Sequence, residues 1–276
     1  MSVVTKMLAV SAWMLTGCSA WAGTGMPERG ICAHRGDCSE CPENTVPAFE
    51  SAVRKGAQMV EFDVRRCKTG ELVICHDSTV DRTTDGRGCV ADLSFFELRA
   101  LDAGVKKSSR FKGVRMPTLE EALKSVGGKG VWINVHCDAG LDEAVGAAKT
   151  IRRMGLLSQA FVAAPLEYIA AARREVPEVL VCNMSRPGAW RCQWSDAETR
   201  AYVDMTVARK CEFLQLISPC KKESLARLTE SGSKANYFFC DDPEKMDGVF
   251  DMGVDFILTN NLQSMLERYR QRKDGM

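Results

Sequence analysis

The chain has almost no net charge and almost no histidine. Its 37 Lys and Arg are balanced by 36 Asp and Glu, for a formal charge of +1. No basic block exists that would track a phosphate backbone, so nucleic acid is not an expected partner. No internal repeat, low-complexity tract or linker interrupts the chain. What remains is ordinary globular material. Of the 276 residues 45% are hydrophobic, enough for one large core or two small ones.

The three histidines are His34, His76 and His136. Each closes or nearly closes a short β-like run: Ile31 to His34, Leu72 to His76, and Val131 to His136. A fourth run, Val60-Glu61-Phe62-Asp63, carries two carboxylates. Imidazoles and carboxylates gathered at strand ends suggest an active site rather than a core.

The first 22 residues read as a leader outside the fold. Lys6 supplies a positive start, and Met7 to Leu15 form an apolar stretch too short to span a bilayer. Ala20-Trp21-Ala22 fits cleavage after small residues, the mark of a signal peptide. Leu15-Thr16-Gly17-Cys18 resembles a bacterial lipobox, with Cys18 the candidate lipidated terminus. The protein is expected to be exported, either periplasmic or a membrane-anchored lipoprotein. A lipid on Cys18 would be its one membrane contact.

Cysteine is abundant, at 13 residues. An exported chain can form disulfides, and Cys182 with Cys192 could staple the loop around Arg186-Pro187-Gly188. Cys38 and Cys41 have C-x-x-C spacing but no second such pair, so a loop role is favoured over zinc or redox chemistry. Cys75, Cys137 and Cys240 sit in strand-like runs and read as small buried hydrophobes.

From residue 30 strand-like and helix-like stretches alternate. Strands are predicted at 31–34, 59–65, 131–137, 160–164, 179–183, 213–217, 236–240 and 256–259. Helices are predicted near 46–56, 118–126, 141–154, 166–175, 196–209, 220–231, 243–252 and 261–271. Eight such repeats over about 240 residues fit an α/β (β/α)8 TIM barrel spanning 30–270, with a doubly wound open sheet as the alternative. One interruption follows the second strand, at about 66–117. It is a suitable place for a lid or substrate loop.

Five motifs occur in order in the first half: His34-Arg35-Gly36, Pro42-Glu43-Asn44-Thr45, Glu61-Phe62-Asp63, His76-Asp77, and Arg82-Thr83-Thr84-Asp85-Gly86-Arg87-Gly88. Leu101-Asp102-Ala103-Gly104, Pro117 to Glu121 and Gly253 to Thr259 extend the series. With these, the chain resembles the glycerophosphodiester phosphodiesterases over roughly residues 30–262. The resemblance implies a TIM barrel, one divalent metal (Ca or Mg) and a small glycerophosphodiester substrate. It assigns His34 and His76 to acid–base catalysis, Arg35 to the substrate phosphate, and Glu61 and Asp63 to the metal. Glu43 is a weaker candidate at the metal. Arg82-Thr83-Thr84 either touches the site or only shapes a turn. The substrate's own glycerol hydroxyl is expected to attack first, giving a cyclic phosphate that water opens. A lyase that stops at the cyclic phosphate, and a phosphate-ester binder without turnover, remain the alternatives.

The chemistry asks for these residue types. A phosphodiester is anionic, so catalysis must neutralise its non-bridging oxygens. Arg35 offers a planar fork for that. Residues two apart on a strand share a face, so Glu61 and Asp63 can both enter the barrel mouth.

The third histidine departs from the family. Where Glu-x-Lys is usual, this chain reads His136-Cys137-Asp138. Imidazole in place of carboxylate suits Mn or Zn better than Ca or Mg. The metal is expected on Glu61, Asp63 and His136, with Asp138 able to return a carboxylate. A site of two carboxylates and water, or an impaired one, stays open. Thr259-Asn260 stands where Thr-Asp is usual, and Phe238 or Phe239 where tryptophan is.

Overall fold

A computed structural model describes residues 25–188 and 193–274. The expected leader at 1–22, with Cys18, lies outside the described residues, as does Cys192.

Nine strands form one sheet: β1 (Gly30–Ala33), β2 (Met59–Arg66), β3 (Leu72–Ile74), β4 (Trp132–His136), β5 (Ala160–Ala164), β6 (Leu180–Asn183), β7 (Phe213–Leu216), β8 (Lys234–Phe238) and β9 (Phe256–Thr259). The order is β1-β9-β8-β7-β6-β5-β4-β2-β3, and a further β1–β2 pairing closes the ring. Every pairing is parallel except β2 with β3. Eight parallel strands thus make a closed (β/α)8 barrel. The short β3 is a hairpin return off β2, so the run that leads to His76 is not a barrel strand.

Helices separate the strands: α1 (Val46–Lys55), α2 (Phe95–Ala100), α3 (Leu119–Val126), α4 (Leu141–Arg153), α5 (Leu166–Glu175), α6 (Asp196–Ala208), α7 (Ala226–Glu230), α8 (Met246–Asp251) and α9 (Leu262–Asp274). Local chemistry sets several of their ends. Thr118 Oγ1 accepts from Glu121 N (3.1 Å) while Glu121 Oε2 accepts from Thr118 N (2.8 Å), a capping box that starts α3. Gly56 ends α1 in the left-handed region at φ 89°. The helices expected at 220–231 and 243–252 are shorter than the pattern suggested. Each opens as a 3-10 turn, Lys222–Leu225 and Pro243–Lys245, before α7 and α8. The strand expected at 236–240 begins two residues earlier, at Lys234. That lysine is buried and donates to the Glu28 carbonyl (2.9 Å), so a charge hid the strand's start.

Side-chain alternation divides the core. Outward residues such as Val60, Phe62, Ile133 and Val162 pack beneath the helices. Inward residues Met59, Trp132, Phe161, Phe213 and Phe256 fill the barrel. Phe161 and Phe213 stack at 4.0 Å, and Trp132 meets Phe213 edge-on at 5.3 Å. Trp132 Nε1 donates to the Pro27 carbonyl (2.8 Å), so the segment before β1 covers this end. The opposite end, at the strand C-termini, is left for the site. The segment between β2 and α3 has its own small core of Cys67, Val73, Cys75, Val80, Val90, Leu98 and Met116. The described cysteines are free thiols, most of them buried. Burial pushes Cys75 to about 12 and Cys38 to about 11. Such thiols stay protonated at neutral pH. Among the described residues no helix is long and apolar enough to cross a membrane.

Candidate active site

One pocket at the C-terminal mouth is lined by His34, Arg35, Glu61, Asp63, His76, Asn134, His136 and Asp138, with Ala163, Met184, Arg186, Gln215, Phe238 and Leu258 opposite. His34 follows β1 directly. Glu61 and Asp63 point inward from β2, and His136 ends β4 as the register partner of Asp63.

The loop after β1 is bent to serve this cluster. Arg35 and Asn44 both take positive φ (58° and 57°), a conformation that non-glycine residues adopt under constraint. The bend aims the Arg35 N–H at Glu61 Oε2 (2.8 Å). Asn44 then clamps Asp63: its Nδ2 donates to Asp63 Oδ2 (2.8 Å), and its Oδ1 accepts from Asp63 N (3.3 Å).

Glu61, Asp63 and His136 bring one ligand atom each within 4.8 Å of one another. His136 Nδ1 lies 3.1 Å from Asp63 Oδ1 and 3.6 Å from Glu61 Oε1. Burial opposes a charged imidazole, but the carboxylates of Asp63 and Glu61 beside the ring outweigh it and raise His136 to about 10. Burial would likewise raise Asp63. The hydrogen bond from His136 and the charges of His136, Arg35 and His76 hold it well below the usual carboxylate range instead. Glu61 Oε1 and His136 Nε2 are buried without a hydrogen-bond partner. Two carboxylates and one imidazole, with an oxygen left open, fit a divalent cation. Asp138 is not brought into this group. It lies on the loop beyond β4, its side chain is 58% exposed, and its Oδ2 is 3.5 Å from His136 Nε2 on the ring's other side.

The two remaining imidazoles are held differently. His34 Nδ1 donates to Asn260 Oδ1 (2.8 Å), and its ring stands edge-on to Phe238. Asn260 is itself fixed by Asp241, which accepts from Asn260 N (2.7 Å) and Nδ2 (3.0 Å). His76 Nδ1 donates to Asp77 Oδ1 (2.7 Å). Asp77 is gripped by Arg82, and the hydrogen bond from Arg82, with that from His76, lowers Asp77 to about 2 despite partial burial. Arg82 also donates two bonds to Glu43 (2.6 and 2.8 Å). Glu43 in turn accepts from Arg35 Nη1 (3.0 Å), and Arg35 Nε lies 3.4 Å from Asp63. Glu43 is therefore not brought into the cation group. It ties the loop after β1 to the segment carrying His76. Arg82 does more than shape a turn, for it joins that segment to the barrel. Burial opposes the charge on Arg35, but Asp63, Glu61 and Glu43 hold it firmly protonated.

A model of the glycerophosphoryl diester phosphodiesterase family matches residues 34–264. The chain belongs to this family. A glycerophosphodiester phosphodiesterase of Caldanaerobacter subterraneus is 29% identical over 87% of this chain and 98% of its own length. Over a shorter stretch, 34% of this chain and 39% of the relative, a putative glycerophosphodiester phosphodiesterase of Bacillus subtilis is 49% identical. A phosphodiesterase from Oleispira antarctica, solved with the product sn-glycerol-3-phosphate, superposes with a TM-score of 0.76 at 23% identity, covering 90% of this chain and 99% of that one. A glycerophosphodiester phosphodiesterase from Agrobacterium tumefaciens gives 0.70 at 22%, covering 87% and 99%.

Within this family member, the sequence left unread several residues that line the pocket or, like Asp241 behind His34, support it. Asp241 and Arg186 lie in loops outside the matched motifs, and Gln215 looks like any polar residue of a strand. Arg186 lies in the pocket wall with its pKa lowered by burial, opposed by the nearby Tyr202, Asp138 and Cys182. Only the folded barrel brings these residues to one mouth.

Proposed function

We propose that the protein hydrolyses glycerophosphodiesters to an alcohol and glycerol 3-phosphate, using one divalent metal and a His34/His76 acid–base pair. The observation that carries this reading is the meeting of both imidazoles with the Glu61–Asp63–His136 group in one pocket of a family barrel. A cation held by those three residues would neutralise charge on the phosphoryl oxygens.

The residues around it supply the proton transfers. Both His34 and His76 use Nδ1 as a donor, to Asn260 and Asp77, which leaves each Nε2 without a hydrogen bond and able to exchange a proton; Glu61 Oε2 lies 3.9 Å from that of His34. Asn260 orients the His34 ring through an uncharged partner. Asp77 orients the His76 ring through a carboxylate. His34 takes the proton of the attacking substrate hydroxyl as its oxygen bonds to phosphorus. His76 gives a proton to the departing alkoxide. The roles reverse when water opens the cyclic phosphate: His76 accepts from water, and His34 returns its proton to the hydroxyl that leaves. Arg35 adds fixed positive charge beside the phosphate position.

Incubating the purified chain with glycerophosphocholine and Mn, Zn, Mg or Ca should release glycerol 3-phosphate. Absence of turnover with every metal and a panel of such diesters would sink the proposal. Phosphorus NMR of the products separates hydrolase from lyase, because a lyase leaves the cyclic phosphate standing. The leader read at residues 1–22 supports an exported enzyme, and mass spectrometry of the mature N-terminus tests lipidation at Cys18.

A further inference from the structure

The barrel interior changes character one layer below the catalytic groups. At its closed end it is filled by Met59, Trp132, Phe161, Phe213 and Phe256, the apolar packing expected of a closed barrel. Above them the inward positions turn polar: Glu61, Asn134, Gln215 and Asn236. Glu61 and Asn134 are register partners across β2 and β4, and Gln215 and Asn236 across β7 and β8.

These side chains are at most 3% exposed. Asn134 Oδ1, Gln215 Nε2 and both polar atoms of the Asn236 side chain have no hydrogen-bond partner. Buried amides in that state weaken a fold unless something supplies the missing bonds. Asn134 and Gln215 both line the pocket shared by His34, His76 and the cation group. Asn236 stands beside Gln215 on the next strand.

The chemistry of the two amides limits what they can receive. Each offers a donor and an acceptor whichever way it is turned. A phosphate oxygen can satisfy only the donors, and a quaternary ammonium or alkyl chain satisfies neither. A hydroxyl gives and accepts a hydrogen bond at once, so it suits an amide on either side. We propose that Asn134 and Gln215 form the floor of a hydroxyl-binding subsite, which selects the polyol half of a polyol-phosphate substrate. This rests on the diesterase reading above and adds to it the residues that recognise the hydroxyls. Met184, Phe238 and Leu258 give the same pocket apolar walls, and the two amides stand with Glu61 and Arg186 as polar contacts between them.

Binding of two product-like probes to the whole chain tests the idea without turnover. sn-Glycerol 3-phosphate and n-propyl phosphate share the phosphate and differ in the hydroxyls. Isothermal calorimetry at one fixed Mn concentration should show the glycerol ester binding about tenfold tighter, the scale of one buried polar group left unpaired by the wrong ligand. In Gln215→Met the two affinities should converge through loss on the glycerol side alone. Thermal melting of that variant should be unchanged or higher, because a buried unpartnered amide has been removed. Equal binding of the two probes by the wild-type chain overturns the subsite while diester turnover would still uphold the enzyme. A Gln215→Met protein that melts lower and keeps its preference makes the amide a structural group and also overturns it. If neither probe binds and no diester is cleaved, the diesterase reading and the subsite fall together.

Discussion

The two halves of the barrel furnish one mouth with unlike materials. Strands β1 to β4 and the segment after β2 contribute His34, Arg35, Glu61, Asp63, His76, His136 and Asp138. The later strands and their loops contribute Ala163, Met184, Gln215, Phe238 and Leu258, with Arg186 their one charged group in the pocket. The first half is interlocked. A run of charge-assisted contacts goes from His76 through Asp77, Arg82, Glu43 and Arg35 to Asp63. In the second half the pocket wall is mostly apolar, made by Ala163, Met184, Phe238 and Leu258. On the function proposed above, chemistry would depend on the connected network and selectivity on that wall. Changes in the network should fail to add, and changes in the wall should add.

The largest effects belong to the imidazoles. His34→Ala or His76→Ala should each lower kcat by about 10³-fold, within the usual range for a lost acid or base, with KM little changed. The double variant should be scarcely worse than either single one, because both protons move in one step. Steady-state kinetics on glycerophosphocholine checks this, and two independent losses that multiply would break the picture of a paired device.

Next in size is the cation group. His136→Glu should move the metal preference from Mn or Zn toward Ca or Mg, read by activity and by bound-metal analysis. His136→Ala should weaken metal binding by about 10- to 100-fold, the scale of losing a supporting metal contact. An unchanged metal profile in both variants would leave Glu61 and Asp63 as the only protein ligands.

The first half was also the more legible in the sequence, and the reason is physical. Period-two alternation on a buried strand is enough to turn Glu61 and Asp63 the same way. The cap at Thr118 and the turn at Gly56 are local and could be read locally. The register that sets His136 beside Asp63 could not, because a parallel neighbour is chosen by tertiary packing. Glu43 and Arg82 are 39 residues apart, and their contact exists only once the segment after β2 folds back. Asp241 was invisible for the same reason: it acts on His34 through Asn260, from a loop with no motif of its own. In the second half, the helices expected at 220–231 and 243–252 begin as 3-10 turns at Lys222–Leu225 and Pro243–Lys245, polar stretches whose composition does not distinguish the two windings.

Arg82 offers a third and smaller break in the network. Arg82→Ala should lower kcat by about 10- to 100-fold with KM within a few-fold, because His76 loses the clamp on Asp77 and not a substrate contact. Arg82→Lys should recover little, since one ammonium cannot make the paired bonds to both Glu43 and Asp77. Stability carries a pH signature. The folded pKa of Asp77, about 2, lies below that of a free carboxylate. The pair's contribution is therefore present above about pH 4 and is lost as pH falls toward 2. The melting gap between wild type and Arg82→Ala should be widest near neutral pH, roughly 1 kcal/mol or less for so exposed a pair, and close in acid. A gap that widens in acid would reverse the assignment.

The smallest expected effect lies across the mouth, at Phe238. Its ring stands 5.0 Å from His34 at 72°, so it both borders the substrate space and backs an imidazole. Phe238→Leu keeps an apolar wall and should raise KM about two- to fivefold with kcat nearly intact, the scale of a small packing change in a pocket. Combined with Met184→Leu the KM effects should multiply, as separable contacts do. If Phe238→Leu instead lowers kcat as strongly as Arg82→Ala, the ring belongs to the His34 device, and the second half of the barrel is not the independent wall that its side chains suggest.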